Sequence, residues 1–242
     1  MKIIAYFRSG QVASRPVRNW AVLVITLALL GCNSDQPVIA SGAVPAKSPP
    51  VFEGTIVAVG DSLTAGLGVP EEQAYPAQLA RKLTADGFRF DVINAGVSGE
   101  TSSGTLSRMQ WVLSSLKPDI VILETGANDG LRSLDPNLLK SNLDALIALL
   151  KTNDVQVILA GMIMLPNLGP EYTQAFATIY PRLAEKHQVV FMPFFLEGVA
   201  GQPSLNQPDK LHPTAQGYSR IVENLYPYVL QAIDRYRAKG RK

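Results

Sequence analysis

The pattern that most constrains this chain is a series of five short, continuously apolar and largely β-branched segments separated by segments of helical periodicity. The five are Thr55 to Val59, Phe90 to Ile93, Ile120 to Leu123, Val155 to Leu159 and Val189 to Met192. A strand with one wet face alternates apolar and polar residues. A strand covered on both faces is apolar throughout, so these segments read as parallel strands between layers of helix. Helices are expected over Gln73 to Ala85, Ser103 to Leu116, Glu171 to Lys186 and Thr214 to Tyr236, and over a segment opening at Asp135-Pro136. That last segment places Pro in a first-turn position and aligns Leu139, Leu143, Leu146, Ile147 and Leu150 on one face. Strands and helices in alternation predict an α/β domain of three layers, α/β/α, on a five-stranded parallel sheet.

The first 52 residues have a different character. Lys2, Arg8, Arg15 and Arg18 precede an apolar run from Trp20 to Leu30, which ends in Leu29-Leu30-Gly31-Cys32. Eleven residues rise only about 16 Å as a helix, half of a bilayer core of about 30 Å. The run therefore reads as the apolar region of an export signal over residues 1–31. Cys32 is the single cysteine of the chain and follows a small residue, the arrangement of a bacterial lipobox. The expectation is a lipidated Cys32 at the head of a tether over residues 32–52. Pro37, Pro45, Pro49 and Pro50 keep that tether from packing. The folded domain is expected over residues 53–242. The protein is expected on the periplasmic side of a bacterial cell envelope, held to a membrane by its N-terminal lipid.

Charge supports this division. The whole chain carries 22 bases, 20 acids and a net charge of +2. The first 31 residues hold four of the bases and no acid, which leaves 18 bases against 20 acids, a net of −2. The basic excess belongs to the leader, so a nucleic-acid partner is not expected. One Cys and two His exclude a disulfide framework and give a metal centre too few ligands, so no metal and no cofactor are expected.

In doubly wound sheets, chemistry sits at the C-terminal ends of the strands. There this sequence places Gly60-Asp61-Ser62-Leu63, then Asn94-Ala95-Gly96, then Gly126-Ala127-Asn128-Asp129, and, before the last helix, Asp209-Lys210-Leu211-His212-Pro213. Each block alone fits ordinary turn chemistry or, for Ser62, a helix cap. Four blocks in this order resemble the SGNH hydrolases, the GDSL esterase and lipase superfamily. The stretches Gly99 to Ser102, Gly126 to Arg132 and Ile179 to Ala184 leading to Pro193 to Leu196 are most similar to its bacterial thioesterase I, lysophospholipase and arylesterase subgroup. The resemblance implies a flavodoxin-like fold and a serine esterase acting on acyl or aryl esters, thioesters or lysophospholipid-like lipids through an acyl-enzyme. It implies Ser62 as nucleophile, His212 as base and Asp209 as the acid orienting it. It also implies an oxyanion hole from the backbone N–H groups of Ser62 and Gly96 with the side-chain amide of Asn128.

His187, at the end of a helix, reads as structural, which leaves His212 as the base. A nucleophile elbow Gly-x-Ser-x-Gly is absent because Thr64 stands at its last position, and no phosphate-binding Gly-rich loop occurs. Two apolar segments, Gly161 to Pro166 and Phe194 to Leu196, are candidates to receive an acyl chain or aromatic ring, or else extend the core. A carbohydrate O-acetylesterase of the same superfamily and a non-catalytic envelope lipoprotein are the alternatives. Lys210 stands where relatives often carry Gly.

Overall fold

A computed structural model describes residues 51–164 and 166–240. The export signal, Cys32 and all but the last two tether residues lie outside the described residues.

Five parallel strands form one sheet in the order β2-β1-β3-β4-β5. They are β1 (Gly54–Gly60), β2 (Phe90–Gly96), β3 (Ile120–Glu124), β4 (Gln156–Ala160) and β5 (Val190–Met192). The five apolar segments are thus the five strands. β1 and β3 are buried over their last five residues, as central strands covered on both faces must be. β2 is only half-buried and β5 is three residues long, which suits strands at the two edges.

The helices are α1 (Ser62–Ala65), α2 (Tyr75–Ala85), α3 (Ser102–Leu116), α4 (Ala127–Leu131), α5 (Pro136–Thr152), α6 (Pro170–His187) and α7 (Ala215–Lys239). α2 packs with α7 on one face, and α5 packs between α3 and α6 on the other. α2 starts two residues later than its periodicity suggests, because a 3-10 turn at Glu71–Gln73 and an extended Ala74 precede it. α7 runs three residues further than expected. Arg237 pairs with Glu53 at 2.6 Å and Lys239 with Asp154 at 2.6 Å, partners that sequence periodicity does not register. The four-residue α1 and five-residue α4 are too short to leave a periodic signal.

The chain leaves β1 towards β2 through α2 and returns from β2 to β3 through α3 on the opposite face. β1 and β3 therefore flank the point where the winding reverses, where such sheets open a crevice at their C-terminal ends. Ser62 follows β1 and Asn128 follows β3, so both stand at that crevice.

Candidate active site

The turn from β1 into α1 is tight because Gly60 lacks a side chain. A Cβ there would lie 2.5 Å from Glu124 Oε2 and would also overlap Thr64 and the Glu124 backbone. Asp61 then caps α1, its Oδ1 accepting from the Leu63 N–H at 3.0 Å. Ser62 is the first residue of α1. Its backbone N–H has no acceptor among the described residues, and the helix closes after one turn on a left-handed Gly66. The hydroxyl is thereby presented at the strand ends rather than spent as a cap.

Asp209 and His212 form a local unit. Asp209 Oδ1 accepts from the backbone N–H groups of Leu211 at 2.9 Å and His212 at 3.0 Å, and Asp209 Oδ2 lies 2.7 Å from His212 Nδ1. The turn that allows this needs Lys210 in the left-handed region at φ +63, a position Gly would occupy without strain. The three donors from Leu211 and His212, the His212 backbone N–H foremost, hold the Asp209 carboxyl down at about 2. Asp209 is therefore ionised at any working pH and accepts the Nδ1 proton. A neutral His212 then has Nε2 free as an acceptor, and Ser62 Oγ donates to it at 2.8 Å. Gln207 staples this loop to the segment after α1, donating to Leu67 O at 2.7 Å and Pro213 O at 3.0 Å. The structure brings Ser62, His212 and Asp209 together as one hydrogen-bonded relay.

Asn128, on α4, points its amide to the same place. Its Nδ2 donates to Asp61 Oδ2 at 3.1 Å and to Glu100 O at 3.0 Å. Gly96 does not join it. Its N–H donates to Asn94 Oδ1 at 3.0 Å, and a Cβ at Gly96 would lie 2.7 Å from Ala65 Cα. Gly96 lacks a side chain so that β2 can pack against α1, which corrects its expected place in the oxyanion hole. Three residues on, Gly99 adopts a left-handed backbone at φ +79, and its N–H has no acceptor among the described residues. The signal in the sequence was the second glycine of Asn94 to Gly99, whose neighbour Glu100 supplies the carbonyl that holds Asn128.

Three buried acids support these loops, and none was foreseen. Asp129 receives the Ser102 N–H at 2.8 Å and the Ser102 hydroxyl at 2.5 Å, tying α4 to the start of α3. Asp61 is pushed up to about 6 by its burial, against the opposing pull of the Leu63 N–H and the Asn128 amide. Glu124, fully buried below the Ser62 turn, is pushed well above the usual carboxylate range by burial and then by the charge of Asp61. Its Oε2 accepts the Thr64 hydroxyl at 2.8 Å and faces the Asp61 N–H at 3.4 Å. Its Oε1 and the nearby Tyr218 hydroxyl have no partner among the described residues.

Glu124 sets a pH dependence of stability. Burial raises the Glu124 carboxyl in the folded protein above its range in the unfolded chain, so above about pH 4.3 stability falls with rising pH by up to about 1.4 kcal/mol per unit until the folded protein releases the proton too. Glu124→Gln has no such proton to keep. Its melting temperature relative to the unmodified protein is expected to rise with pH above about 4.3, and a pH-independent difference would show that burial does not raise the Glu124 carboxyl.

His187, the last residue of α6, is bound to Asp144 on α5 through Nε2 at 2.5 Å and stands just before β5 begins rather than after a strand ends, in keeping with a structural role. Among the described residues no group of three or more His, Cys, Asp and Glu side chains is arranged to hold a metal ion. The two apolar segments divide between core and surface. Met162 and Phe195 are buried, Phe195 edge-on to Tyr75 with ring centroids 5.3 Å apart, while Ile163 is exposed and Phe194 and Leu196 are half-buried. Leu165 lies outside the described residues. Leu67, Val97 and Leu211 are also exposed, on the other loops at this end of the sheet.

A family model described as GDSL-like Lipase/Acylhydrolase matches residues 58–220. The chain is 38% identical over 173 residues to esterase TesA of Pseudomonas aeruginosa, covering 72% of this chain and 86% of that protein. It is 40% identical over 168 residues to an arylesterase of Vibrio mimicus (69% and 84%) and 35% identical over 169 residues to thioesterase 1/protease 1/lysophospholipase L1 of Escherichia coli K12 (70% and 80%). A crystal structure of TesA superposes with a TM-score of 0.71 at 37% identity, covering 74% of this chain and 99% of that one.

Proposed function

Because the chain belongs to the GDSL-like lipase/acylhydrolase family, we propose that it is a serine esterase in which Ser62 is the nucleophile of a two-step acyl transfer. The observation that carries this reading is the continuous relay from Asp209 Oδ2 through His212 to Ser62 Oγ, at 2.7 and 2.8 Å. Ser62 Oγ attacks the ester carbonyl carbon as its proton passes to His212 Nε2. Ionised Asp209 keeps the ring in the required tautomer and stabilises the imidazolium. The carbonyl oxygen becomes an oxyanion held by the backbone N–H groups of Ser62 and Gly99 and by the Asn128 amide. When the C–O bond of an ester or the C–S bond of a thioester breaks, His212 returns the proton to the departing alcohol or thiol. Water then repeats the sequence on the acyl-Ser62 ester and releases the acid.

The substrates are carboxylic esters and thioesters with an apolar acyl or aryl part, lysophospholipid-like lipids among them. The exposed Leu67, Val97, Ile163 and Leu211 at the strand ends favour such groups over acetylated sugars. p-Nitrophenyl esters of graded chain length test this with the soluble fragment that starts near Ser48. Turnover that persists or improves from acetate to longer acyl chains is expected, and hydrolysis of acetate alone would favour the carbohydrate esterase instead.

The chain is also exported and anchored through a lipid on Cys32 in the bacterial envelope, a reading supported by the basic leader, the short apolar run and the position of the single cysteine. Cys32→Ser is expected to move the protein from the membrane to the soluble envelope fraction, and continued membrane association would count against lipidation.

A further inference from the structure

The backbone from Gly99 to Glu100 carries two elements of the oxyanion site, the Gly99 N–H and the carbonyl that holds Asn128, yet it belongs to a loop with no ladder bonds of its own. The Glu100 side chain turns back onto the helix that follows it. Arg108 Nε donates to Glu100 Oε1 at 2.7 Å and Arg108 Nη2 to Oε2 at 2.8 Å, while the Thr105 hydroxyl donates to Oε2 at 3.0 Å. The pair is nearly closed off from solvent, with side-chain exposures of 8% for Glu100 and 18% for Arg108. Gly104 makes the space, since a Cβ there would lie 2.7 Å from Glu100 Cγ. Arg108 Nη2 also reaches Gly60 O, the residue that begins the Ser62 turn, at 3.5 Å. Arg132 holds the Gly99 carbonyl from the other side at 2.7 Å.

We propose that the Glu100–Arg108 ion pair positions the oxyanion hole, fixing the Gly99 and Glu100 peptides at bonding distance from the site where Ser62 and Asn128 meet the substrate. A bidentate guanidinium–carboxylate pair fixes orientation as well as distance, which a single-point ammonium does not. Both charges are desolvated, so the pair is a weak contributor to stability and a strong determinant of geometry. It is also neutral as a whole. Either partner left alone would place a charge beside the developing oxyanion: an unpaired Glu100 carboxylate would oppose it, and an unpaired Arg108 would not. A purely structural pair would show no such asymmetry in rate.

The inference rests on the oxyanion hole described above, so its test carries Asn128→Ala as a separate arm. The probe is a p-nitrophenyl alkylphosphonate. Ser62 Oγ forms a bond to its phosphorus as its proton passes to His212 Nε2, the P–O bond to p-nitrophenolate breaks, and the phosphonyl oxygen draws on the same donors. The second-order inactivation constant is measured per reactive serine, so that unfolded protein does not enter it, and KM is measured with a p-nitrophenyl ester. Arg108→Met is expected to slow inactivation by about 10–100-fold and Glu100→Gln by less, with KM within about twofold, as a misplaced hole costs rate rather than binding. Arg108→Lys, which keeps the charge and loses the fork, is expected between Arg108→Met and the unmodified protein, and it decides the matter if Arg108→Met yields no reactive serine. Inactivation of Arg108→Met and Arg108→Lys within twofold of the unmodified protein, with Asn128→Ala slow, would overturn the positioning role and leave the hole intact. If Asn128→Ala is equally fast, the hole itself is wrong and the inference falls with it.

Discussion

Replacing Ser62 by Ala is expected to lower kcat for a p-nitrophenyl ester by roughly 10⁴–10⁶ while leaving KM and the melting temperature nearly unchanged. Among the described residues the Ser62 hydroxyl makes one side-chain hydrogen bond, to His212 Nε2, and contributes no cap to α1, so the fold does not depend on it there. His212→Ala is expected to cost about as much, because an unassisted serine hydroxyl is a poor nucleophile. The double variant should be no worse than either single one, since the two groups act as a unit. Losses that multiply would mean that Ser62 and His212 contribute to the rate independently, contrary to the relay. Steady-state kinetics on the three variants and on the unmodified protein settle this.

Asn128→Ala is expected to lower kcat by about 10²–10³ with little change in KM, the cost of one oxyanion donor. In the resting structure the two bonds from Asn128 Nδ2 run to Asp61 Oδ2 and Glu100 O, which aim the amide before substrate arrives. The oxyanion then competes with these acceptors for the same hydrogens, and the full charge exists only at the tetrahedral stage, so the effect belongs to kcat. Asn128→Asp retains the shape but sets a carboxylate against Asp61 and against the oxyanion, and it should be at least as damaging. A loss confined to KM would reassign Asn128 to ground-state binding.

Much of this arrangement was legible in the sequence, for identifiable reasons. Strands buried on both faces announce themselves by uninterrupted apolarity, so four of the five segments fall within a residue of the observed strands at each end, while the half-buried β2 runs on through Asn94, Ala95 and Gly96. The Asp209–His212 pair was legible because three residues of one loop suffice to form it. Gly96 shows where sequence alone misleads. Two glycines three residues apart both permit close approach, and only the fold reveals that Gly96 makes room for Ala65 while Gly99 leaves an N–H unclaimed. Asp129, beside Asn128, reads as a turn former until the structure places Ser102 against it from 27 residues away. Glu124 and the Glu100–Arg108 pair were missed for the same reason. Acids in loops and at strand ends are ordinarily solvated, and their burial depends on chain segments that no local pattern brings near.

In the proposed mechanism Ser62 carries the acyl group between the two halves of the reaction. Acid-quenching the enzyme during turnover of a slowly deacylated p-nitrophenyl ester, followed by peptide mass mapping, tests it directly. The peptide containing Ser62 is expected to gain the mass of the acyl group in an amount matching the initial burst of p-nitrophenol, and Ser62→Ala is expected to show neither. A burst with the acyl group on another residue, or turnover with no acylated peptide at any time, would contradict it.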